Sequence, residues 1–313
     1  MHLVTFDHMM RTPSVGIVGM GWVGSSIAIS TLHASAARHL LLHDVRAEVA
    51  EGEAMDLSHG SSFYSTATVE SAPLERLGQC DAVVIAAGRA GAPEQTRLDL
   101  LKGNAFVVSA LAEEFRGYEG IVVVVTNPVD VLTQVFQRVS ALPPERVIGT
   151  GTMLDTARLR QALARELAMD PRSVHAQVIG EHGDSEVCLW SSANVGGTRV
   201  RDLPDWRDAL ESTIEDEVRN AAYRIIERKG STNHAIGLVT ANLLRGMLQN
   251  ERRVLTVSRV QEGAAGVDGV ALSLPAVVGI DGAVEVIEPD LDEAEHAALV
   301  RSADIIAEAA ANV

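Results

Sequence analysis

The sequence predicts an α/β fold: a doubly wound parallel sheet followed by an α+β unit with antiparallel strands. Strand-like apolar runs and helical patterns alternate regularly up to about Thr150, as expected of parallel strands joined by right-handed helical crossovers. The run 82–87 is apolar throughout, which is typical of a parallel strand covered on both faces. After Thr150 the alternation stops, and residues 253–258, 271–274 and 283–287 are predicted to be antiparallel strands.

Length and charge narrow the class of protein. The 313 residues are enough for two domains, and the change of pattern places them at residues 14–150 and 151–313. The 26 Lys and Arg against 42 Asp and Glu leave a net charge of −16. This charge disfavours nucleic acid as a partner, because phosphate backbones are bound through clustered cations.

Cysteine usage and hydropathy indicate the compartment. Cys80 and Cys188 have apolar neighbours and no metal-ligand spacing, so we expect buried thiols in a reducing environment and no bound metal. No uninterrupted apolar run is long enough to span a bilayer, and residues 1–13 contain His and Asp where a secretory signal has an apolar core. We therefore expect a cytoplasmic protein without a membrane partner.

A glycine-rich loop follows the first predicted strand. Residues 14–18 lead into Gly19, Gly21 and Gly24, and a helical pattern comes next. In a dinucleotide-binding turn (the Rossmann pattern) the first glycine permits the tight turn, the second lets the pyrophosphate approach the backbone, and the third lets helix and strand pack closely. Asp44 ends the next strand, where a carboxylate accepts hydrogen bonds from a ribose 2′-hydroxyl and repels a 2′-phosphate. The order of strand, glycines, helix and acid predicts bound NAD rather than NADP.

His182 is the candidate proton donor and acceptor. It stands between Glu181 and Gly183, shortly after an apolar run that ends at Gly180. An imidazole titrates near neutral pH, so one side chain can protonate a carbonyl oxygen and deprotonate an alcohol. A solitary histidine in such a place is more often a surface residue of a turn, so this assignment depends on partners elsewhere in the chain.

Other polar residues occupy positions where a ligand would be contacted. Asp155 and Arg158 are three residues apart in the predicted helix 152–167 and so share one face. The alternative for this pair is a surface ion pair worth under about 1 kcal/mol. Asn127 follows the apolar strand 121–125, at the end where open α/β sheets bind ligands, although asparagine before proline is also common in turns.

Six motifs occur in an order and spacing that resemble the L-lactate and malate dehydrogenase superfamily, over residues 14–310. They are GMGWVG, the AAG that ends at Gly88, PEQTRLDL, TNPVD, LDTARLR and IGEHGDSE. The chain is more similar to the lactate branch, notably at residues 190–191 (WS) and 194–197 (NVGG). The resemblance implies reversible hydride transfer between NADH and a 2-keto acid such as pyruvate.

Carried over by position, the resemblance implies a role for each catalytic side chain. His182 is the acid/base, and Asp155 is its orienting carboxylate, which holds the tautomer and raises the pKa of the imidazole. Arg158 binds the substrate carboxylate, because its planar guanidinium can donate two parallel hydrogen bonds to the two oxygens. Arg97, in a lid at residues 89–97, polarises the substrate carbonyl once the lid closes.

The resemblance also implies the residues that contact the ligands. Asn127 touches cofactor and substrate, and Thr232 lines the substrate pocket. The implied cofactor-binding residues are Gly19, Gly21, Val23, Gly24, Asp44, Ala87, Gly88 and Asn127.

Gly91 departs from the family pattern. Counted back from Arg97, its position is glutamine in lactate dehydrogenases and arginine in malate dehydrogenases. Glycine offers no cation to a second carboxylate, and the loss of one charge-assisted contact, roughly 1.5–3 kcal/mol, weakens oxaloacetate binding by about ten- to a hundredfold. We therefore expect pyruvate or bulkier 2-keto acids as substrates. A register shifted by two residues would put Arg89 at this position and favour malate dehydrogenase.

A regulatory site and an oligomer are implied as well. Arg160 and His175 match the pair that binds fructose 1,6-bisphosphate at a subunit interface of allosteric bacterial lactate dehydrogenases. We therefore expect a homo-oligomer, either a dimer or a homotetramer. In the alternative, Arg160 is a solvated helix residue and His175 lies at a strand edge.

A catalytically idle dinucleotide-binding protein that keeps the fold is the alternative of a different class. Intact His182, Asp155, Arg158 and Arg97 argue against it. A protein without chemistry has no physical need to hold two arginines and an Asp–His pair at one cleft.

Overall fold

The computed structural model describes residues 13–89 and 97–313. The α-helices in these ranges are α1 (Trp22–His33), α2 (Ala47–His59), α3 (Leu74–Leu77), α4 (Arg97–Glu114), α5 (Val129–Ser140), α6 (Met153–Glu166), α7 (Ala209–Lys229), α8 (His234–Leu248) and α9 (Glu293–Ala310). The strands are β1 (Ser14–Val18), β2 (His39–His43), β3 (Thr68–Ser71), β4 (Ala82–Ile85), β5 (Ile121–Val124), β6 (Val147–Gly149), β7 (Val174–His175), β8 (Val178–Ile179), β9 (Val187–Cys188), β10 (Asn194–Val195), β11 (Thr198–Arg199), β12 (Arg253–Glu262), β13 (Asp268–Gly279) and β14 (Gly282–Val286). Within the described ranges, none of the helices combines the length and apolar character needed to cross a membrane.

The amino-terminal half is the predicted doubly wound parallel sheet. β1 pairs in parallel with β2 on one side and with β4 on the other, and the order across the sheet is β3-β2-β1-β4-β5-β6. The direction of winding reverses between β1 and β4. The carboxyl ends of these two strands therefore open the crevice in which such sheets bind ligands.

The carboxyl-terminal antiparallel strands extend this same sheet. β12 pairs with β13, and β13 pairs with β14, in antiparallel register. β12 also meets β6, where Ser258 pairs with Gly149. The antiparallel strands were predicted, whereas β6 was missed because its three residues are too few to show a period. One continuous sheet thus joins the cofactor half of the chain to the half that contains His182.

β13 is longer than predicted. The predicted strand 271–274 ends just before Pro275, and a proline lacks the N–H that a central strand normally donates. In the structure the strand continues through this residue to Gly279. The carbonyl of Pro275 still accepts a hydrogen bond from the Ile287 N–H at 2.7 Å, so the proline removes one donor from the ladder without ending it.

Apolar side chains cover both faces of the parallel strands. Val83 belongs to one buried cluster together with Phe136 of α5. The next residue, Val84, belongs to the cluster on the other face, together with Ile27 of α1. Because β4 buries successive side chains on opposite faces, its sequence shows no polar alternation. Each fully buried side chain of this size contributes about 1.5–3 kcal/mol to the stability of the sheet.

Replacing Gly149 by valine should destabilise the junction between β6 and β12. An added Cβ would collide with the Thr133 hydroxyl and would lie 3.0 Å from Ser258 Cβ, and both neighbours are buried. We expect overpacking to lower the free energy of unfolding by about 1–3 kcal/mol, measured as a lower thermal midpoint at fixed protein concentration. The control is Glu119→Ala, at an exposed position before β5, which should change the free energy of unfolding by under about 0.5 kcal/mol. Equal midpoints for the two variants would contradict the tight packing at Gly149.

Candidate active site

The glycine-rich loop joins β1 to α1 at the crevice. Gly19 has a φ of +96°, and a Cβ at this residue would lie 2.6 Å from the backbone of Ala87. A Cβ on Gly24 would collide with the Gly19 carbonyl oxygen, whereas a Cβ on Gly21 would have no atom within 4 Å. The three glycines therefore permit the turn, leave the backbone open and allow close helix packing, as a dinucleotide-binding turn requires.

Asp44 follows β2 and holds the glycine-rich loop. Its Oδ2 accepts a hydrogen bond from the Met20 N–H at 2.9 Å, and its Oδ1 accepts one from the Arg46 N–H at 3.0 Å. The guanidinium of Arg46 lies 3.8 Å from Oδ1 and is mostly exposed. The carboxylate is thus fixed next to the loop, at the place where a ribose would be held.

The carboxyl ends of β4 and β5 are tied together beside the crevice. The Thr126 hydroxyl donates to the Ala87 carbonyl at 2.7 Å, and a Cβ on Gly88 would lie 2.5 Å from Thr126 Cγ2. Asn104 of α4, which the sequence analysis did not single out, donates to the carbonyl of Asn127 at 2.9 Å. Asn127 itself is exposed, so its side chain is accessible to a ligand.

Val23 and Thr232 lie near the amino ends of α1 and α8. Val23 is in the first turn of α1. Thr232 is partly buried in the loop before α8. The next residue, Asn233, donates its side-chain amide to Ser26 Oγ of α1 at 2.9 Å. The loop that contains Thr232 is therefore held against the helix that follows the glycine-rich loop.

The carboxylate of Asp155 joins His182 to Arg158. It accepts a hydrogen bond from His182 Nδ1 at 2.5 Å and one from Arg158 Nη1 at 2.7 Å. Only 1% of Asp155 is exposed, so the alternative of a surface ion pair is wrong. Because a carboxylate only accepts, Nδ1 carries a proton and Nε2 is the nitrogen left to exchange a proton with a ligand.

Three separate elements anchor the main chain around His182. Gly180, with a φ of +82°, forms a β-bridge with Ser273 of β13. The amide of the residue before His182 donates to Ser302 Oγ of α9 at 2.7 Å. The amide of His182 donates to Asp130 Oδ2 of α5 at 2.7 Å. The histidine is therefore held by its backbone as well as by its ring.

The surroundings of His182 favour its protonated form. Burial lowers the pKa of the imidazole, but the charge and hydrogen bond of Asp155, together with the charge of Asp130, raise the pKa of His182 to about 9. Burial also opposes the charged form of Asp155. The imidazole and the Arg158 guanidinium nevertheless hold the pKa of that carboxyl below its usual range. At neutral pH the site therefore contains a protonated imidazole paired with a carboxylate.

Two buried carboxyl groups near His182 escaped the sequence analysis. Asp130 is the last residue of the TNPVD motif, and Glu186 follows Ser185 in the His182 segment. Burial, followed by the charge of Asp155, raises the pKa of Glu186 to about 8, so it is mostly neutral at pH 7. Both acids stand in or beside motifs that the sequence shows, but their burial depends on tertiary packing, so no pattern in the sequence indicated it.

Arg160 and His175, the predicted effector pair, lie on α6 and β7. Arg160 Nε donates to the carbonyl of Ala176, the residue after His175, at 2.9 Å. The His175 side chain is exposed. Burial, and then the nearby charge of Arg253, lowers the pKa of Arg160, so another cation lies close to this pair. Arg160 is thus partly buried rather than a fully solvated helix residue.

Gly91 and most of the lid at 89–97 lie outside the described residues, and so does the side chain of Arg97.

The described crevice residues fit a dinucleotide. The open space at Gly21 lies at the amino end of α1, where free N–H groups attract an anion, and the first turn of α1 contains no acidic residue. The carboxylate of Asp44 lies beside the glycine-rich loop, and a carboxylate in such a place suits the hydroxyls of a ribose. Among the residues that the structure describes, no cluster of three or more His, Cys, Asp or Glu side chains is arranged to hold a metal ion.

Comparison with known proteins identifies the family. Residues 14–149 match the model of the lactate/malate dehydrogenase NAD binding domain, and residues 152–312 match the model of the lactate/malate dehydrogenase alpha/beta C-terminal domain. The chain belongs to the lactate/malate dehydrogenase family. This match confirms the resemblance predicted from the sequence. It also confirms NAD as the cofactor.

Similar members of the lactate/malate dehydrogenase family include several named L-lactate dehydrogenases. That of Thermus aquaticus is 45% identical over 305 residues, which cover 95% of this chain and 98% of that protein. The L-lactate dehydrogenase of Salinibacter ruber is 42% identical over 312 residues, which cover 97% of this chain and 99% of that protein. The crystal structure of a minor L-lactate dehydrogenase from Enterococcus mundtii, in a ligands-bound form, matches with a TM-score of 0.94 at 39% identity, covering 96% of this chain and 98% of that one.

Gly21→Val should weaken NADH binding without destabilising the fold. The added side chain would occupy the open space beside the loop and meet no protein atom at its Cβ, so it would compete only with the pyrophosphate. We expect the Kd for NADH to rise by at least about tenfold, or 1.4 kcal/mol, measured by NADH fluorescence with the thermal midpoint unchanged. Gly19→Val should weaken NADH binding and should also lower the thermal midpoint, because Gly19 has a φ of +96° that valine rarely adopts. Wild-type affinity in Gly21→Val would show that the pyrophosphate lies elsewhere.

Proposed function

We propose that this protein is an NAD-dependent L-lactate dehydrogenase, which interconverts a 2-keto acid such as pyruvate and its L-2-hydroxy acid. The observation that supports this most is the buried carboxylate of Asp155, which bonds both the imidazole of His182 and the guanidinium of Arg158. The membership of the lactate/malate dehydrogenase family, with relatives named L-lactate dehydrogenase, points the same way.

In the proposed reduction, His182 acts as a general acid. Its Nε2 gives a proton to the carbonyl oxygen, while Asp155 keeps Nδ1 protonated and stabilises the imidazolium before the transfer. When bound, NADH would supply the hydride for the carbonyl carbon, and the carbonyl electron pair would move to the oxygen that receives the proton from His182. In the reverse direction the neutral imidazole takes the hydroxyl proton.

Arg158 is proposed to bind the substrate carboxylate. A guanidinium has five N–H donors in a planar fork, and the bond from Nη1 to Asp155 uses one nitrogen. The remaining donors suit a two-oxygen anion. Because His182 and Arg158 share one carboxylate, the proton donor and the carboxylate-binding cation are held at a fixed spacing.

The other substrate contacts are proposed from the family resemblance. Arg97 would polarise the substrate carbonyl when the lid closes, Asn127 would touch cofactor and substrate, and Thr232 would line the pocket. Gly91 would leave room beside the variable group of the substrate, which favours pyruvate or bulkier 2-keto acids.

Both alternative functions have less support. Malate dehydrogenase needs a cation for the second carboxylate of its substrate, and Gly91 offers none. A catalytically idle protein would have no reason to bury a charged Asp155 beside His182, because buried ion pairs are weak stabilisers.

A panel of 2-keto acids tests the function. In an NADH absorbance assay, kcat/KM for pyruvate or phenylpyruvate should exceed that for oxaloacetate by at least about tenfold. His182→Asn should lower kcat by about 10²–10⁴-fold, while NADH binding measured by fluorescence stays intact. Higher kcat/KM with oxaloacetate would favour malate dehydrogenase, and no turnover of any keto acid by the wild type would favour the idle protein.

We further propose a cytoplasmic homo-oligomer, a dimer or a homotetramer. Trp22, Ile29 and Phe63 line one cleft beside α1 and α2, and all three are exposed. Large apolar side chains that are exposed together in this way are typical of interfaces between subunits. The reducing compartment is supported by the buried free thiols of Cys80 and Cys188.

The proposed domain boundary stays at residues 150 and 151. Its support is the short connection there, between the end of β6 at Gly149 and the start of α6 at Met153. The cofactor half, 14–150, would then end with the parallel sheet, and the catalytic half, 151–313, would begin with the helix that contains Asp155.

Fructose 1,6-bisphosphate is proposed as an effector at Arg160 and His175. The hydrogen bond from Arg160 to the Ala176 carbonyl brings the guanidinium next to the His175 strand, and the charge of Arg253 acts on Arg160 as well. Such a group of cations favours a doubly anionic ligand. Binding across two subunits would shift the oligomer toward its active state.

Fructose 1,6-bisphosphate should lower the KM for pyruvate at neutral pH by at least about fivefold and should raise the share of the larger oligomer in sedimentation. Arg160→Gln should abolish both effects. Arg172→Gln is the matched control, since Arg172 is exposed and pairs only locally with Asp170. A KM that does not respond to the sugar bisphosphate in the wild type would exclude this regulation.

A further inference from the structure

Asp130 is a buried carboxylate that the mechanism above does not use. It lies in the first turn of α5, after Pro128, and is 2% exposed. The first two turns of α5 are otherwise lined by buried side chains such as Val129 and Leu132. An acid among these residues loses its hydration on folding, so its presence needs a local partner.

The partner of Asp130 is the main chain of His182. The amide N–H of His182 donates to Asp130 Oδ2 at 2.7 Å, a short, charge-assisted hydrogen bond. The ring of the same residue is bonded to Asp155. A carboxylate at each end of the histidine therefore fixes both its Cα position and its ring orientation.

Asp130 has no arginine or lysine partner among the described residues. Asp155, by contrast, is paired with both Arg158 and His182. Its second oxygen, Oδ1, makes no hydrogen bond of regular geometry within the described part of the chain, although the buried hydroxyl of Ser258 is close enough to lower the pKa of Asp130. A buried carboxylate with so few partners is costly to stability. Stability alone therefore does not account for an acid at this position.

We propose that Asp130 is a positioning residue for the reaction, which holds the backbone of His182 in register with Asp155 and whose negative charge helps the imidazole to keep its proton. This inference rests on the proposed dehydrogenase function. The hydrogen bond and the charge are separable, because an asparagine keeps the acceptor oxygen and removes the charge.

The charge of Asp130 is present at the pH where the enzyme would work. Burial raises the pKa of Asp130 to about 6, despite the Ser258 hydroxyl and the hydrogen bond from the His182 amide, which lower it. The carboxylate is therefore mostly ionised at pH 7. Its charge is one of the causes that raise the pKa of His182. As the pH falls through about 6, Asp130 becomes neutral and His182 loses this support.

Other ionisable groups face the same histidine. They are Asp155 and Arg158 of α6, and Glu181 and Glu186 of its own segment; Arg219 of α7 acts on Glu186. Asp130→Asn leaves all of them in place. A change in the titration of His182 in this variant therefore reports the charge of Asp130.

Asp130→Asn should shift both pH profiles of kcat/KM toward lower pH. Removing a negative charge destabilises the imidazolium and lowers the pKa of His182. Pyruvate reduction, which needs the protonated ring, should decline at a pH lower by at least about one unit, and lactate oxidation, which needs the neutral ring, should begin at a correspondingly lower pH. At pH 6 the reduction rate should stay within about fivefold of wild type, because the hydrogen bond is kept.

Asp130→Ala removes the acceptor as well as the charge. The His182 backbone then loses its anchor, and a misplacement of about 1 Å lowers the rate by up to about a hundredfold. We expect the loss in kcat rather than in the KM for pyruvate, since Arg158 still binds the carboxylate, and Asn at this position should restore most of the rate.

Thr133→Val is the matched control. Thr133 lies one turn along α5, is fully buried and donates only to the Val129 carbonyl, at 2.7 Å. This variant should lower the thermal midpoint without moving either pH profile. Unmoved profiles in Asp130→Asn, in an otherwise active enzyme, would refute the proposal, as would equal rates for the Ala and Asn variants. An inactive wild type would instead refute the dehydrogenase function.

Discussion

The shared carboxylate of Asp155 is the interaction on which the rest of the site depends. Burial opposes its charge, and only the two cations bonded to it make the ionised form favourable. Removing one partner of such a buried pair typically costs about 3–5 kcal/mol, because the other charge is left uncompensated. The imidazole of His182, the guanidinium of Arg158 and the carboxylate between them therefore form one unit. Their relative positions follow from the contact of α6 with the His182 segment at the buried Asp155, not from the mobility of long side chains at a surface.

The continuous sheet explains how this unit is held beside the crevice. β12 joins the antiparallel strands to β6 of the parallel sheet, and the neighbouring strand β13 bonds the backbone of Gly180. The His182 segment is thus tied to the same sheet whose other half bears the glycine-rich loop. Motion of one half relative to the other would have to break pairing within a sheet. This rigidity suits a reaction that needs two ligands at a fixed distance.

Much of the fold could be predicted because its signals are local. The apolar runs of β4 and β5 and the glycine spacing after β1 each depend on adjacent residues, and the i, i+3 spacing puts Asp155 and Arg158 on one helix face. The missed features depend on tertiary packing. β6 is too short to show a period, and β13 continues through Pro275 because its other backbone groups stay paired. The burial of Asp130 and Glu186 arises only when α5 and the His182 segment meet, so no pattern within either segment reveals it.

The bond from the backbone beside His182 to Ser302 of α9 has a consequence for synthesis of the protein. The two bonded residues are 121 positions apart, so a growing polypeptide on the ribosome cannot complete the His182 segment until α9 has emerged. The parallel sheet and its glycine-rich loop precede this point and are free to assemble earlier, as domains generally do during translation. Dinucleotide affinity would then arise before turnover, and a nascent chain could hold its cofactor while still unable to react.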